Sequence, residues 1–232
     1  MQRFWTCWLL FVASATALLA QSEMPSAEPT MTVRAADGTE SDETAYDGSA
    51  PMTAIFKANP TNLGEYEPAY EWRFTRVGEQ EPFIVRYEED MEYTFAQSGT
   101  FSIELRIAFI NGSDTITYET DEPFTVNISE SKLEVPNAFS PNGDGINDTF
   151  HVKDGYQSLV SFEATVFNRW GKKLFSWKNP AEGWDGKDGG KECPDGGYYL
   201  IVKARGADGK NYNIKKVINL LRGYTESSGT IE

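Results

Sequence analysis

The chain has 232 residues, of which 35 are acidic and 21 are Lys or Arg, and its formal net charge is −14 at pH 7. This charge argues against a nucleic-acid-binding protein, which needs a basic face. The length allows one large domain or two small ones.

The first twenty residues predict a secretory signal peptide. Arg3 supplies a short basic start, and an almost unbroken apolar run extends from Phe4 to Leu19. Cleavage is expected after Ala20, with Ala17 as the alternative. The run is too short for a membrane span, and no later segment is apolar enough to cross a bilayer as a helix. We therefore expect an exported protein without a transmembrane span.

Export leaves the mature chain with one cysteine, Cys193, because Cys7 lies inside the predicted leader. An internal disulfide is therefore excluded. No histidine is near Cys193 in the sequence, so we expect a small buried side chain rather than a reactive thiol.

The acidity of the mature chain is confined to its first part. Residues 21–130 hold 22 acidic and 6 basic side chains, whereas residues 131–232 hold 13 acidic and 14 basic ones. A well-hydrated, outward-facing module explains this asymmetry, and a specific cationic partner is the alternative.

Residues 21–50 predict a flexible segment, in which Met31 to Val33 indicate a possible edge strand. From 51 to 130 the apolar side chains recur at every second position, most clearly from Thr100 to Phe109. Asn111-Gly-Ser predicts a hairpin turn directly afterwards. Short strands at this spacing predict an acidic β-sandwich. The run that begins at Tyr93, followed by the alternating strand, resembles the PKD-like class of immunoglobulin-type domains.

Residues 131–134 predict a short polar hinge, residues 135–224 a second β module, and residues 225–232 a tail. The expected strands of this module lie near 150–152, 162–167, 173–177, 198–204 and 216–222. Ala207 to Lys210 predicts the hairpin turn before the last strand. The predicted fold class is all-β, with two tandem immunoglobulin-like β-sandwiches after a signal peptide.

Five motifs follow one another in the second module: Val135–Phe150, Val166–Phe175, Gly183–Gly186, Cys193–Leu200 and Asn219–Arg222. In this order they resemble the type B C-terminal sorting domain of the type IX secretion system of Bacteroidota, also called the gliding motility-associated C-terminal domain. The resemblance implies Sec export to the periplasm, passage through the type IX translocon, and docking on a PorP/SprF-like outer-membrane barrel.

The resemblance also implies that the terminal strand carries the sorting signal. This strand consists of Lys216, Val217, Ile218, Asn219, Leu220, Leu221 and Arg222.

The loop from Asn142 to Asp148 predicts either a calcium site or a capped turn. Asn142, Asp144, Asn147 and Asp148 place hard oxygen ligands between glycines, as Ca²⁺ requires. Asn and Asp side chains that bond to nearby backbone amides give the same composition. Calcium is therefore the one cofactor candidate in the chain.

Two further pairs are candidate partner contacts in the second module. Arg169 and Trp170 belong to residue types that are enriched at binding hot spots, and a packed strand corner is the alternative for them. Trp184 and Asp185 are the second pair that could contact a partner. Their alternative is a turn capped by Asp185, with Trp184 packed over the edge of the core.

Asp114-Thr115-Ile116 in the first module resembles the short O-glycosylation motif of Bacteroidota, with Thr115 as the acceptor. The flank of an ordinary hairpin is the alternative.

The sequence indicates no catalytic set, since His151 is its only histidine and no Ser or Cys has a base within sequence reach. It predicts a non-enzymatic surface protein that displays its acidic module for interaction or signalling. The alternative is a small adhesin or carbohydrate-binding module that uses Tyr66, Tyr70 and Trp72 along a groove.

Overall fold

The computed structural model describes residues 24–34 and 38–223, and the secondary structure of this part is β-strand without helix. The all-β prediction is therefore confirmed. The predicted signal peptide and the tail at 225–232 lie outside the described residues.

The first module contains strands β1 to β12. Their bounds are Ser26–Ala27, Thr30–Arg34, Glu40–Glu43, Ala45–Gly48, Met52–Lys57, Pro60–Thr61, Glu67–Arg76, Ile84–Arg86, Asp90–Phe95, Gly99–Asn111, Asp114–Glu119 and Phe124–Ile128.

Two sheets pack against each other in this module. One has the strand order β3-β2-β5-β9 and the other has the order β4-β12-β10-β7-β8, with β11 also paired to β10. Phe56 of the first sheet contacts Trp72 and Phe74 of the second, at ring-centroid distances of 5.6 and 5.4 Å. All three are fully buried, and such burial stabilises the fold by roughly 1.5–3 kcal/mol per side chain. The first module is a β-sandwich, as predicted.

The longest strand, β10, confirms the predicted alternation. Successive side chains of a strand point to opposite faces, and every second side chain of β10 enters the core between the sheets. The buried ones are Phe101, Ile103, Leu105, Ile107 and Phe109. A two-residue turn at Gly112 and Ser113 then leads into β11, as the sequence predicts.

The prediction of a flexible segment over residues 21–50 is wrong for most of its described part. This part contains β1 to β4, and β2 lies between β3 and β5 rather than at an edge. All four residues of β3 are exposed. Backbone pairing with β2 forms this strand, so it leaves no apolar periodicity in the sequence.

The second module contains strands β13 to β19. Their bounds are Ala138–Phe139, Leu159–Phe167, Lys173–Trp177, Lys187–Asp188, Lys191–Glu192, Gly196–Gly206 and Asn211–Leu220.

One five-stranded sheet with the order β13-β19-β18-β14-β15 organises the second module. Its inner face packs on a layer of connecting segments, which contribute Phe150, Val152, Trp184 and Cys193 to the core. In this layer Phe150 and Trp184 pair through two backbone hydrogen bonds of 2.9 Å, and both side chains are fully buried. The strand expected at 150–152 is therefore a single bridge, although Val152 also enters the core.

Hydrogen bonds join the two modules. The backbone N–H of Ala50 donates to the hydroxyl of Ser158 over 3.2 Å, and the hydroxyls of Ser129 and Ser158 are 2.9 Å apart. The N–H of Ser98 donates to the carbonyl oxygen of Ala207. Although Ala207 belongs to the second module, its side chain packs into the core of the first.

The predicted hinge is bonded to the second module. Asp208 accepts hydrogen bonds from the N–H of Ser131 at 3.1 Å and from its hydroxyl at 2.8 Å. The Tyr212 hydroxyl donates to the Ser131 carbonyl oxygen, and Lys132 exchanges two backbone bonds with Gln157.

Candidate functional site

The predicted sorting signal lies inside the second sheet. Strand β19 pairs antiparallel with β18 along its length, and its end also pairs parallel with β13. Ile218 and Leu220 are fully buried, whereas Val217 and Leu221 are exposed. A partner can therefore meet this end of the strand only as part of the folded domain, through outward side chains.

Lys216 ties the terminal strand to the start of the second module. Its Nζ donates to the carbonyl oxygen of Val135 at 3.3 Å and to Oδ1 of Asn137. Burial lowers the pKa of the Lys216 ammonium group, and the charge of Lys153 lowers it further. Lys216 thus holds the strand in place rather than pointing freely into solvent.

Arg222 fastens the end of the terminal strand. Its guanidinium donates to the carbonyl oxygens of Gly186, at 3.0 Å, and Cys193, and its backbone N–H donates to Asp195 at 3.0 Å. Gly186 has a φ of 77°, and a Cβ there would crowd Leu220 and the Arg222 side chain. Three of the five sequence motifs therefore meet at one place, beside the end of β19.

The carboxylate of Asp148 is bonded within its own loop. It accepts hydrogen bonds from the N–H groups of Gly143 and Gly145 at 2.7 and 2.8 Å. These two bonds lower the pKa of Asp148 below its usual value.

The other polar side chains of this loop make the same kind of contact. Asp144 accepts from the N–H of Ile146 at 2.8 Å, and Asn142 accepts from the N–H of Asp144 at 3.1 Å. Asn147 has a φ of 53°, which Asn tolerates better than most residues. This geometry fits the capped turn, and calcium binding at the loop stays a prediction. Within residues 24–34 and 38–223, no group of three or more His, Cys, Asp or Glu side chains is placed to hold a metal ion.

Arg169 and Trp170 lie on a tight, well-bonded turn between β14 and β15. Oδ1 of Asn168 accepts from the N–H groups of Trp170 and Lys172, both at 3.0 Å. The Arg169 guanidinium lies 4.5 Å from the ring centroid of Trp170, which is 76% exposed. This exposure rules out the packed corner for Trp170 and leaves the pair available for a partner.

The prediction of a partner contact at Trp184 is wrong because the side chain is fully buried. Its Nε1 donates to the carbonyl oxygen of Lys187 at 2.8 Å, and its ring packs on Phe139 and Tyr198. Asp185 caps the turn by accepting from the N–H of Lys187 at 3.1 Å. The alternative interpretation of this pair is the correct one.

Sequence reasoning missed an apolar row on the outer face of the second sheet. Phe167 on β14 lies opposite Tyr199 on β18, which in turn lies opposite Val217 on β19. The signal was present: the run from Tyr198 to Val202 is apolar at every position, so both faces of β18 carry apolar side chains.

The first module does not form the aromatic groove of the adhesin alternative. Trp72 is fully buried in the core, and the Tyr66 hydroxyl donates to Asp114 over 2.6 Å. Thr115, next to Asp114, is exposed on β11, and its glycosylation stays a prediction.

Cys193 is buried, as expected, and burial raises the pKa of its thiol. Nδ1 of the half-buried His151 lies 2.6 Å from the carbonyl oxygen of Val152. Neither side chain is therefore placed as an accessible nucleophile or base.

Residues 133–220 match the family model described as the CHU_C type IX secretion signal domain. The match spans β13 to β19 and supports export and sorting by the type IX machinery, with a location at the cell surface or outer membrane. No curated protein matches the chain. Among solved structures, the FN1–FN3 domains of chicken CNTN1 match at 11% identity over 81% of this chain and 76% of that chain, with a TM-score of 0.25. The part of the chain that the structure describes has no helix long and apolar enough to cross a membrane.

Proposed function

We propose that this chain is a non-enzymatic cell-surface protein of a Bacteroidota species. Its second module directs passage through the type IX translocon and anchors the protein to a PorP/SprF-like outer-membrane barrel. Its acidic β-sandwich is displayed for interaction with, or signalling to, the secretion and regulatory apparatus. In size and organisation the protein is similar to PorA of type IX systems.

The observation that carries this proposal is the family match over residues 133–220, together with the convergence of its motifs around Arg222. The guanidinium of Arg222 bonds to Gly186 and Cys193. Residues from motifs that are far apart in the sequence thus contact Arg222 and hold the end of the terminal strand in a defined place.

The display role of the first module rests on its charge and its surface. Its residues hold most of the acidic side chains of the chain, and strand β3 exposes Glu40, Asp42 and Glu43 at an edge of one sheet. A surface of this kind attracts cationic partners over about a Debye length, or ~8 Å at physiological salt.

The proposal is tested with two truncated chains in the native cell. Deletion from Val217 removes the buried Ile218 and Leu220, and we expect this protein to stay in the periplasm. Deletion from Gly223 keeps β19 and Arg222, and we expect it to reach the surface. Protease added to intact cells reports the location of each protein. Surface exposure of the chain that ends before Val217 would refute the role of the terminal strand.

A further inference from the structure

The outer face of the second sheet carries a row of three apolar side chains, of which two are exposed and Phe167 is half-buried. Tyr199 is 52% exposed and Val217 is 50% exposed, and the two are direct cross-strand partners. Phe167 continues the row on β14. Single exposed apolar residues are common on protein surfaces, but a contiguous row across three strands marks an interaction site.

Basic side chains lie on the same face of the sheet, on the side of the row that leads to the turn between β18 and β19. On the same face, Lys203 on β18 lies opposite Glu163 on β14, and Lys215 on β19 lies opposite Ile201 on β18. Arg205 follows on β18, and all four charged residues are exposed. The face therefore holds three basic groups against one acidic group, which gives it a local positive charge although the module as a whole is nearly neutral.

The turn after β14 places an arginine beside the apolar row. Arg169 lines the same surface depression as Phe167, Tyr199 and Val217, whereas its neighbour Trp170 lines a separate depression beside Glu192 and Asp195. The backbone of this turn is held by hydrogen bonds to Asn168, so the position of Arg169 beside the row is defined. Trp, Tyr and Arg are the residues that most often dominate the energy of an interface.

We infer that this outer face is the surface by which the type IX apparatus recognises the folded sorting module. Its partner is an acidic protein surface with an apolar centre, because the apolar row needs an apolar contact and the basic groups need compensating negative charge. The inference rests on the proposed function. It assigns recognition to Tyr199, Val217 and Arg169, and it leaves the buried side of β19 a structural role.

Three variants of the full chain test the inference in the native cell. Tyr199→Ser combined with Val217→Thr removes the apolar row, and Lys203→Glu combined with Lys215→Glu reverses the charge. Tyr87→Ser is the control, since Tyr87 is an exposed tyrosine of the first module, 69% exposed against 52% for Tyr199. Thermal melting of each purified protein checks that it folds. We expect the two double variants to lose about tenfold in protease-accessible surface protein, as removal of an interface hot spot predicts, and the control to match the parent.

Crosslinking identifies the occupant of the face. A photocrosslinking amino acid replaces Tyr199 in one protein and Tyr87 in the other, and crosslinked peptides are identified by mass spectrometry. We expect position 199 to yield acidic peptides from an outer-membrane component of the apparatus, above the yield at position 87.

Three results would overturn the inference. Folded double variants that reach the surface like the parent show that recognition lies elsewhere, and the proposed function then stands. Crosslinks from position 199 to residues 24–130 of a second copy show that the face joins copies of this chain. A parent protein that is not exposed at the surface removes the proposed function, and this inference fails with it.

Discussion

The hydroxyl oxygen of Ser158 accepts a hydrogen bond of 3.2 Å from the backbone N–H of Ala50, across the boundary between the two modules. Ser158 is almost fully buried and also contacts the hydroxyl of Ser129. One side chain thus joins the first module, the connecting segment and the second module. These hydrogen bonds connect the acidic sandwich directly to the sorting module.

Ser158→Ala is expected to weaken the contact between the modules. The substitution leaves the buried N–H of Ala50 without its acceptor, which costs about 1–3 kcal/mol. Urea denaturation of the full chain measures the change in the free energy of unfolding. Ser161→Ala, at an exposed position of β14, is the control, and an equal effect of both substitutions would contradict the structural role of Ser158.

Arg222→Ala is expected to destabilise the second module by about 2 kcal/mol, because the charged donor bonds to two carbonyl oxygens. The melting temperature of the purified protein measures the loss. Arg205→Ala is the control, since Arg205 lies on the exposed face of β18. If the two variants had the same melting temperature, the guanidinium contacts would not hold the end of β19.

Asp148 is expected to contribute pH-dependent stability. The hydrogen bonds that the Asp148 carboxylate accepts from the N–H groups of Gly143 and Gly145 lower its pKa in the folded state. In an unfolded chain the pKa of an Asp carboxyl is about 3.9. The folded state therefore binds a proton more weakly than the unfolded state. The contribution is complete above the unfolded pKa of about 3.9 and is lost as the pH falls through the lowered folded value.

The melting temperatures of the parent and of Asp148→Asn, compared across pH, measure this effect. We expect a constant difference above about pH 5 that shrinks below about pH 4. Asp154→Asn, at an exposed position of the same module, controls for the general change in charge. A difference that does not vary with pH would show that the carboxylate makes no special contribution.

Calcium binding at the loop from Asn142 to Asp148 has its own test. If Ca²⁺ binds there, it raises the melting temperature of the parent by mass action, and Asp144→Ala and Asp148→Ala abolish this rise. A parent whose melting temperature does not change with added Ca²⁺ has no such site.

Elements with apolar periodicity could be predicted from the sequence. The side chains from Phe101 to Phe109 alternate strictly, and β10 follows that pattern. Strand β3 could not be predicted, because all its side chains are exposed and it is held by backbone pairing and polar side-chain contacts with β2, which leave no apolar pattern. The hydrogen bond between Ala50 and Ser158 joins residues that are 108 positions apart, and no local sequence pattern predicts it.

Some of the site residues could also be predicted from the sequence, and others could not. Asp148 and Asp185 cap turns within their own neighbourhood, which their Gly-rich surroundings indicate. The sequence left the burial of Trp184 and the exposure of Trp170 open, because the same residue type serves both in cores and at interfaces. Their difference depends on which segments of the chain pack over each ring, and only the folded structure contains that information.

The most direct test of the central claim is a crosslinking pull-down of the full-length protein from intact outer membranes, with protease treatment of whole cells in parallel. We expect a PorP-like barrel to be recovered with a protein that external protease cleaves. A protein that is protected from protease and recovered without a barrel would contradict type IX sorting and anchoring, and would indicate a periplasmic role instead.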